Sequence, residues 1–131
     1  MALRVGFSEA LGRRQSYKVR GQVICPSDPQ KAKNVKVKLV DEDDGPDPDD
    51  KMAEVRTGGD GRFTLEGTES EFTSIDPRLK IYHDCMDGLK PCQRRLKIYL
   101  PDKYINSNQY LDAGVINLEL KFPEEERDCV H

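Results

Sequence analysis

Tryptophan is absent from this chain of 131 residues, and histidine occurs only twice, at His83 and His131. Aromatic residues make up 7% of the sequence, and no apolar run approaches the ~18 residues needed to cross a bilayer. General acid–base catalysis needs a base near its proton and a second group that orients the base. No such set is visible, so the sequence indicates a protein that is not an enzyme and that needs no cofactor.

The first 16 residues show no strand pattern, and their apolar stretch is too short for a signal peptide. We expect residues 1–16 to form a flexible N-terminal lead and residues 17–131 to form one domain. The four cysteines favour two disulfides and an oxidising compartment in a chain of strands and turns. A mature secreted domain whose signal has been removed or replaced reconciles these observations. A cytosolic chain with free thiols is the alternative.

Period-two alternation of apolar and polar residues predicts half-buried β-strands through most of the chain. It is strongest at residues 79–83 and 95–100, which flank a turn-rich loop and predict a β-hairpin. Further strands are expected at residues 17–25, 34–41, 52–57, 63–65 and 115–122, with a hairpin turn at 58–61 and one helical turn within 102–107. Seven or eight short strands without a convincing helical period indicate an all-β, immunoglobulin-like sandwich.

The alternation also assigns individual side chains to the core. His83 falls at the inward phase of its strand, so we expect a hydrogen-bonded core imidazole rather than a catalytic one. The last predicted strand is expected to bury Ile116, Leu118, Leu120 and Phe122.

All four cysteines are expected at one pole of the domain. If each connection reverses the chain, Cys25, Cys85, Cys92 and Cys129 lie at strand ends on the same side. Two disulfides there would each stabilise the fold by ~3–4 kcal/mol in the chain-entropy model. Four cysteines allow three connectivities, of which Cys25–Cys92 with Cys85–Cys129 is preferred. Zinc is the competing use of the thiols, but their spacing contains no CxxC pair.

The segment 41–50 holds seven acids and no base, and the alternation places it at the opposite pole. Asp41, Asp43, Asp47 and Asp49 offer oxygen ligands of the kind that calcium takes. The spacing differs from that of an EF-hand, because Pro46 stands at position six of any register that starts at Asp41. A solvated negative turn is the simpler interpretation, and a calcium site is the alternative.

Four long motifs stand out in the chain: VRGQVIC, NVKVKLVDEDDGPDPDD, TGGDGRFTLEGTESEFTSIDPRLKIYHDCMDGLKPCQRRLKIYLP and INLELKFPEEERDCVH. They resemble the nematode transthyretin-like family, over a stretch from about Lys18 to His131. The resemblance implies a small secreted sandwich of the transthyretin type. The family includes an extracellular bridging factor that binds exposed phosphatidylserine and marks dying cells for engulfment, and a role of that kind is implied here.

The resemblance also argues against one catalytic activity. The transthyretin-related hydrolases of purine breakdown end in a Tyr-Arg-Gly-Ser motif and use histidines and an arginine in a cleft. This chain ends in Asp-Cys-Val-His instead. The departure supports the interpretation that the protein is not an enzyme.

In a transthyretin-like sandwich the second, fifth and sixth strands share a sheet in the order two-five-six. Their outward residues would form one face of five cations and two aromatics, which are Lys36, Lys38, Lys80, Tyr82, Arg95, Lys97 and Tyr99. Outside residues 41–50 the chain carries 17 acids against 21 Lys and Arg, a balance of +4. Clustered cations raise the local concentration of anions, so this basic face predicts an anion-binding surface. An ordinary solvated face of an antiparallel sheet is the alternative.

An anionic phospholipid surface suits this face better than nucleic acid, because the isoelectric point is near 5.4 and the expected compartment is extracellular. The acidic pole would then face a cell-surface receptor, so that the protein bridges phosphatidylserine on an apoptotic cell to a phagocyte. The alternatives are an extracellular carrier of a small hydrophobic ligand and a protein–protein interaction module without lipid binding. The sequence leaves the oligomeric state, the headgroup specificity and any need for calcium open.

Overall fold

The computed structural model describes residues 12–42, 49–88 and 90–131. The strands of this part of the chain are β1 (Arg13–Ile24), β2 (Lys36–Asp41), β3 (Asp50–Arg56), β4 (Arg62–Glu71), β5 (Pro77–His83), β6 (Gln93–Tyr99), β7 (Leu111–Asn117) and β8 (Glu126–Asp128), with short 3₁₀ turns at Pro29–Ala32 and Asp102–Tyr104. They form a three-stranded sheet in the order β4-β1-β7 and a five-stranded sheet in the order β3-β2-β5-β6-β8. The predicted all-β sandwich is confirmed, including the neighbouring positions of β2, β5 and β6.

The core lies between the two sheets and is built from the apolar phase of each strand. Tyr17 and Val19 of β1 are fully buried, as are Leu39, Ile81 and Leu96 from the opposite sheet. Burying a side chain of this size stabilises the fold by about 1.5–3 kcal/mol. The period-two pattern therefore predicts correctly which face of the central strands packs into the core.

β1 begins at Arg13, four residues before the alternation becomes clear in the sequence. Gln15 lies in this early part and is buried. Its Nε2 donates a hydrogen bond to the Thr73 carbonyl at 2.8 Å, and its Oε1 accepts one from the Ile75 N–H at 3.0 Å. A polar side chain whose partners come from a distant loop leaves no signal in the local pattern.

The last long strand is β7, Leu111–Asn117, rather than the predicted 115–122, and it runs parallel to β1. Gly114 lies where the register between the two strands shifts. Its φ is +73°, a backbone conformation that glycine adopts without steric penalty. The Asn117 side chain then accepts the Glu119 N–H at 2.9 Å and ends the strand in a turn. Leu118 stays buried, but Leu120 is 58% exposed, so its predicted burial is wrong.

The glycine-rich turn at 58–61 forms where it was predicted, but it connects two sheets instead of two paired strands. The Gly61 N–H donates to the Gly58 carbonyl at 3.0 Å and the Val23 N–H donates to the Gly61 carbonyl at 2.9 Å. Gly61 has φ +80°, and a Cβ there would collide with the Val23 carbonyl oxygen. The turn is thus fixed by a hydrogen bond from β1, which belongs to the same three-stranded sheet as β4, the strand that follows the turn.

Both disulfides form at one pole, but the preferred pairing is wrong: the bonds are Cys25–Cys85 and Cys92–Cys129. Cys25 follows β1 and Cys85 follows β5, so the first bond joins the two sheets, with a Cα–Cα distance of 6.0 Å. The second bond depends on β8, which pairs antiparallel with the start of β6 and brings Cys129 opposite Cys92 at 4.3 Å between Cα atoms. β8 has three residues and no alternating pattern, which is why the sequence did not indicate it.

The helical content of the described residues is limited to the two 3₁₀ turns, one of which was expected within 102–107. No helix there has the length and apolar character required to span a bilayer.

Candidate anion-binding face

The seven predicted residues of the basic face share the outer side of the five-stranded sheet. The strand register sets Lys38, Lys80 and Lys97 directly opposite one another across β2, β5 and β6. We call these three residues the lysine row. Lys36, Tyr82 and Arg95 form the row on the disulfide side, and Tyr99 lies in the row on the other side.

Arg78 belongs to the same face and was missed. It lies opposite Tyr99, with its guanidinium carbon 4.1 Å from the Tyr99 ring centroid. β5 begins at Pro77, two residues before the strand predicted at residues 79–83. The signal was present, because Arg78 has the same outward phase as Lys80 and Tyr82.

Two carboxylates turn onto the lysine row from the ends of the acidic segment. Glu42 accepts hydrogen bonds from Lys97 and from Arg78, whose Nε lies 3.1 Å from Glu42 Oε1. Asp49 pairs with Lys80, with 2.5 Å between Nζ and Oδ2. The segment begins and ends at the pole away from the disulfides, and these two side chains turn from there onto the outer face of the sheet. Residues 43–48 lie outside the described residues.

The ion pairs shift the ionisation of the groups they join. Burial alone would raise the pKa of Glu42, but the hydrogen bonds from Lys97 and Arg78 hold it below its ordinary value. The hydrogen bond to Glu42 raises the pKa of Lys97 against the opposing effect of burial. Two cations thus share one carboxylate that stays charged near neutral pH.

Lys38 is the member of the lysine row that pairs with no carboxylate of the described residues. Its ammonium lies 5.3 Å from the Tyr82 ring centroid, a cation–π contact. Burial lowers the pKa of Lys38. The positive charges of Lys36 and Lys51 lower this pKa further, and the Glu54 carboxylate opposes the shift. Lys38 is therefore the cation of the row with the most to gain from an external anion.

The row on the disulfide side is covered by the C-terminal segment. The His131 ring stacks on Tyr82 with centroids 4.2 Å apart, and Lys36 Nζ donates to the His131 backbone oxygen at 2.6 Å. Arg95 pairs with Glu126 at 2.7 Å. Tyr82 is consequently 3% exposed and Arg95 8%. The C-terminal segment leaves the lysine row and the row beyond it uncovered, but the side chains of Lys80, Lys97 and Arg78, which pair with Asp49 and Glu42, are only 17%, 14% and 15% exposed.

Tyr99 occupies the open side of the face. Its side chain is 52% exposed, and its hydroxyl donates to Glu124 Oε2 at 2.8 Å. Lys97 Nζ lies 5.7 Å from its ring centroid. The ring is thus flanked by the cations of Arg78 and Lys97 and presents an apolar surface beside them.

His83 is a core imidazole, as predicted. It is 1% exposed, and its Nδ1 accepts the Cys85 N–H at 3.0 Å. Burial lowers the pKa of His83 to about 4, and the neighbouring Arg94 adds to the effect. The imidazole is therefore neutral over the physiological range and helps to hold the chain beside the disulfide.

Acidification is expected to destabilise the fold through His83. An unfolded histidine titrates near 6.5, so as the pH falls from 6.5 towards the folded pKa of about 4 the unfolded chain takes up a proton that the folded chain refuses. The free energy of unfolding should fall by about 2–3 kcal/mol between pH 7 and pH 4.5, as measured by urea denaturation. In His83→Gln this decrease should be largely absent, because carboxylates whose pKa is held low release their stabilisation only below about pH 4.5. An equal decrease in parent and variant would assign the effect to other groups.

The calcium alternative concerns carboxylates, and those that cluster among the described residues lie on strands β2, β3 and β4. Oxygen atoms of Asp41, Asp50, Glu69 and Glu71 lie within 4.8 Å of one another. Burial raises the pKa of Glu69, with Asp50 among the carboxylates that add to the effect. Asp49 instead faces Lys80, and Asp43 and Asp47 lie outside the described residues. Acidic groups of this kind are common without an ion, so the cluster carries no metal assignment.

Together these features define a small β-sandwich that is stapled by two disulfides and carries a partly neutralised basic face. A family model described as the Transthyretin-like family matches residues 20–101. The chain is similar to several proteins of Caenorhabditis elegans. Transthyretin-like protein 5 is 52% identical to it, and the match covers 92% of this chain and 88% of the relative. Transthyretin-like protein 33 is 46% identical, with 89% and 83% covered, and Transthyretin-like protein 46 is 45% identical, with 96% and 72% covered. The chain belongs to the Transthyretin-like family.

Proposed function

We propose that this protein is a secreted, non-enzymatic binding protein whose lysine row recognises an anionic surface, and that this surface is phosphatidylserine on apoptotic cells. The observation that carries the proposal is the register of Lys38, Lys80 and Lys97 directly across three adjacent strands. Like charges in such positions destabilise a sheet. A row of this kind therefore supports a role in attracting anions.

The charge balance around the row favours an incoming anion. Among the described residues, four cations, Lys38, Arg78, Lys80 and Lys97, face two carboxylates within ion-pair distance, Glu42 and Asp49. Glu54 lies opposite Lys38 across β2 and β3, so four positive and three negative charges leave a local charge of +1. Each basic residue near an anionic membrane contributes ~1 kcal/mol, and that attraction falls off within a Debye length. The half-exposed Tyr99 beside the row suits the membrane interface, where tyrosine is enriched.

Two disulfides support the extracellular part of the proposal, because such bonds persist in oxidising compartments. The bridging part, in which a cell-surface receptor of the phagocyte binds elsewhere on the domain, rests on the likeness to the family's bridging factor. Glu42 and Asp49 pair with cations of the basic face, so the proposal does not assign these two carboxylates to the receptor.

Vesicle flotation with two variants of opposite charge change tests the lysine row. Lys38→Gln removes the cation that has no described carboxylate partner and should weaken binding to serine-headgroup vesicles about fivefold, the equivalent of ~1 kcal/mol. Glu42→Gln releases Lys97 and Arg78 and should strengthen binding by a similar factor. Lys31→Gln, an exposed lysine of the Pro29–Ala32 turn, is the matched control and should bind as the parent does.

The sign of the two effects separates the lysine row from a generic charged surface. If all three variants bind like the parent, or if Lys31→Gln matches Lys38→Gln, the row is not the site. Vesicles of equal charge that carry glycerol in place of serine headgroups decide specificity. Equal binding to both would retain an anion-binding row and remove phosphatidylserine as its particular ligand.

A further inference from the structure

A short segment that begins at the second disulfide covers one row of the basic face. We call residues 129–131 the strap. The His131 ring stacks on Tyr82, and Lys36 Nζ donates to the His131 backbone oxygen at 2.6 Å. Lys36 and Tyr82 lie opposite each other on β2 and β5. The strap therefore occupies a part of the basic face that an external ligand would otherwise reach.

The Cys92–Cys129 bond holds the strap in place. Val130 is 89% exposed, so apart from the disulfide the strap meets the sheet through one ring stack and one hydrogen bond. These two contacts have to offset the conformational entropy that is lost when three residues become ordered. β8, which precedes the strap, is held separately by the ion pair between Arg127 and Asp87. Opening the disulfide therefore frees the strap and leaves β8 on the sheet.

The closed strap leaves buried polar atoms without partners. Arg95 Nε and His131 Nδ1 are buried and make no hydrogen bond among the described residues. Asp128 Oδ1 lies 3.8 Å from His131 Nδ1, which is too far for a hydrogen bond. Arg95 is the neighbour of Tyr82 in the strand register, so both atoms lie where the strap meets the sheet. Buried polar atoms of this kind destabilise the arrangement that buries them, and the covalent bond offsets that penalty.

The two disulfides differ in their access to a reductant. Cys25 and Cys85 are 1% and 0% exposed, whereas Cys129 is exposed and Cys92 half-buried. Thiol–disulfide exchange begins when a thiolate attacks an accessible sulfur. A dithiol reductant is therefore expected to open the Cys92–Cys129 bond before the bond between the sheets.

The exchange proceeds in two steps. Attack of the reductant on Cys129 Sγ breaks the S–S bond, forms a mixed disulfide and releases the Cys92 thiolate, which takes up a proton. The second thiol of the reductant then displaces Cys129, which also takes up a proton. The protein gains two thiols, and the reductant leaves as a disulfide.

We infer that the strap is a redox-held cover over Lys36 and Tyr82, and that reduction of Cys92–Cys129 by a dithiol uncovers these residues for the anionic surface that the lysine row binds. For its ligand the inference rests on the proposed function, whereas the release of the strap does not depend on it. Reduction would thus regulate the strength of anion binding by the basic face.

The charges around the uncovered row favour an anion. Arg95 stays paired with Glu126 of β8. The other described charges beside the row are four cations and two carboxylates, a balance of +2, which are Lys36, Lys38, Lys51, Arg56, Glu54 and Asp128. Lys36, like Lys38, pairs with no carboxylate of the described residues, so its release adds a second such cation. Tyr82 contributes a ring of the kind that is enriched at membrane interfaces.

Vesicle flotation of the full chain with and without dithiothreitol, a dithiol, tests the ligand half of the inference. We expect the reduced parent to bind serine-headgroup vesicles about fivefold more tightly, the effect of one additional cation. Reduction is to be stopped where alkylation detects two thiols per chain and the Cys25–Cys85 bond is intact. Cys92→Ala/Cys129→Ala should bind as the reduced parent does, and adding Lys36→Gln to that variant should return the affinity to that of the parent.

Acetylation of lysine side chains, followed by mass spectrometry, tests the strap without any vesicle. The rate at Lys36 should rise several-fold on reduction, while the rate at Lys31, an exposed lysine of the Pro29–Ala32 turn, stays constant. His131→Ala removes the ring stack and keeps both disulfides, so it should also raise the rate at Lys36. Unchanged rates at Lys36 in the reduced parent and in His131→Ala would overturn the strap.

The inference and the proposed function can fail separately. If reduction makes Lys36 accessible but neither form floats with anionic vesicles, the proposed function is refuted and the strap is retained. If the parent floats, and reduction uncovers Lys36 without strengthening binding, the regulation by reduction is refuted and the proposed function is retained.

Discussion

Replacing Arg94 by methionine is expected to lower the free energy of unfolding by about 3–5 kcal/mol. The guanidinium is buried against the segments that follow β5 and β7, and its Nη1 donates to the carbonyls of Cys85 at 2.7 Å and Leu118 at 3.0 Å. Nη2 donates to the Leu120 carbonyl at 3.1 Å, and Nε and Nη2 each reach a different oxygen of Glu125 at 2.8 Å. The side chains of Arg94 and Glu125 are only 9% and 8% exposed, so removing the cation strands a buried carboxylate and three carbonyls.

Urea denaturation at neutral pH measures the loss, and two further variants interpret it. Arg95→Met is the matched control on the same strand, because the carboxylate that pairs with Arg95, Glu126, is 70% exposed and stays hydrated; it should cost about 1 kcal/mol. The double variant Arg94→Met/Glu125→Leu should recover part of the loss, since it no longer buries an unpaired charge. If Arg94→Met proves no more harmful than Arg95→Met, the buried network does not stabilise the fold.

Arg94 shows where sequence reasoning stops. It has the same inward phase as Leu96 and Ile98, so the alternation marks the position as buried. From the pattern alone, an arginine at this position indicates the end of the strand. Its acceptors, three backbone carbonyls and a glutamate 31 residues further on, are not visible in the local sequence. A buried cation is identifiable only once the segment that neutralises it has been placed.

The central strands could be predicted because each carries its own information. In β2, β5 and β6 the alternation of single side chains already separates core from solvent, and the likeness to the family supplies their order. The basic face could therefore be assembled from the sequence before any coordinates were known. Its neutralisation could not, because nothing local determines that the side chains of Glu42 and Asp49 turn back onto the sheet.

The predicted pairing of the cysteines was wrong for a related reason. Four thiols at one pole are compatible with every connectivity, and the choice is made by the partners of short elements. β8 is three residues long, yet its antiparallel pairing with residues 93–95 brings Cys129 to Cys92. Once that bond forms, Cys25 and Cys85 remain for each other.

The second large effect is expected from the disulfide that joins the two sheets. Cys25→Ala/Cys85→Ala opens a loop of 60 residues, and the chain-entropy model assigns such a loop about 4 kcal/mol. Both cysteines are buried, at 1% and 0% exposure, so the lost sulfur contacts add to the entropic effect. Together the changes remove a large part of the 5–15 kcal/mol by which a domain is usually stable.

The Cys92–Cys129 bond provides an internal comparison that separates the two contributions. Its loop spans 37 residues, and the difference in loop length alone predicts a stabilisation smaller by only about 0.4 kcal/mol. Cys129 is exposed and Cys92 half-buried, so their replacement by alanine leaves little cavity. We therefore expect the Cys25/Cys85 variant to be the less stable of the two in urea denaturation by more than the loop lengths require. Equal losses in the free energy of unfolding would mean that both bonds act on the unfolded chain alone. A larger loss for the Cys92/Cys129 variant would show that anchoring β8 and the segment over Tyr82 stabilises the fold more than joining the two sheets does.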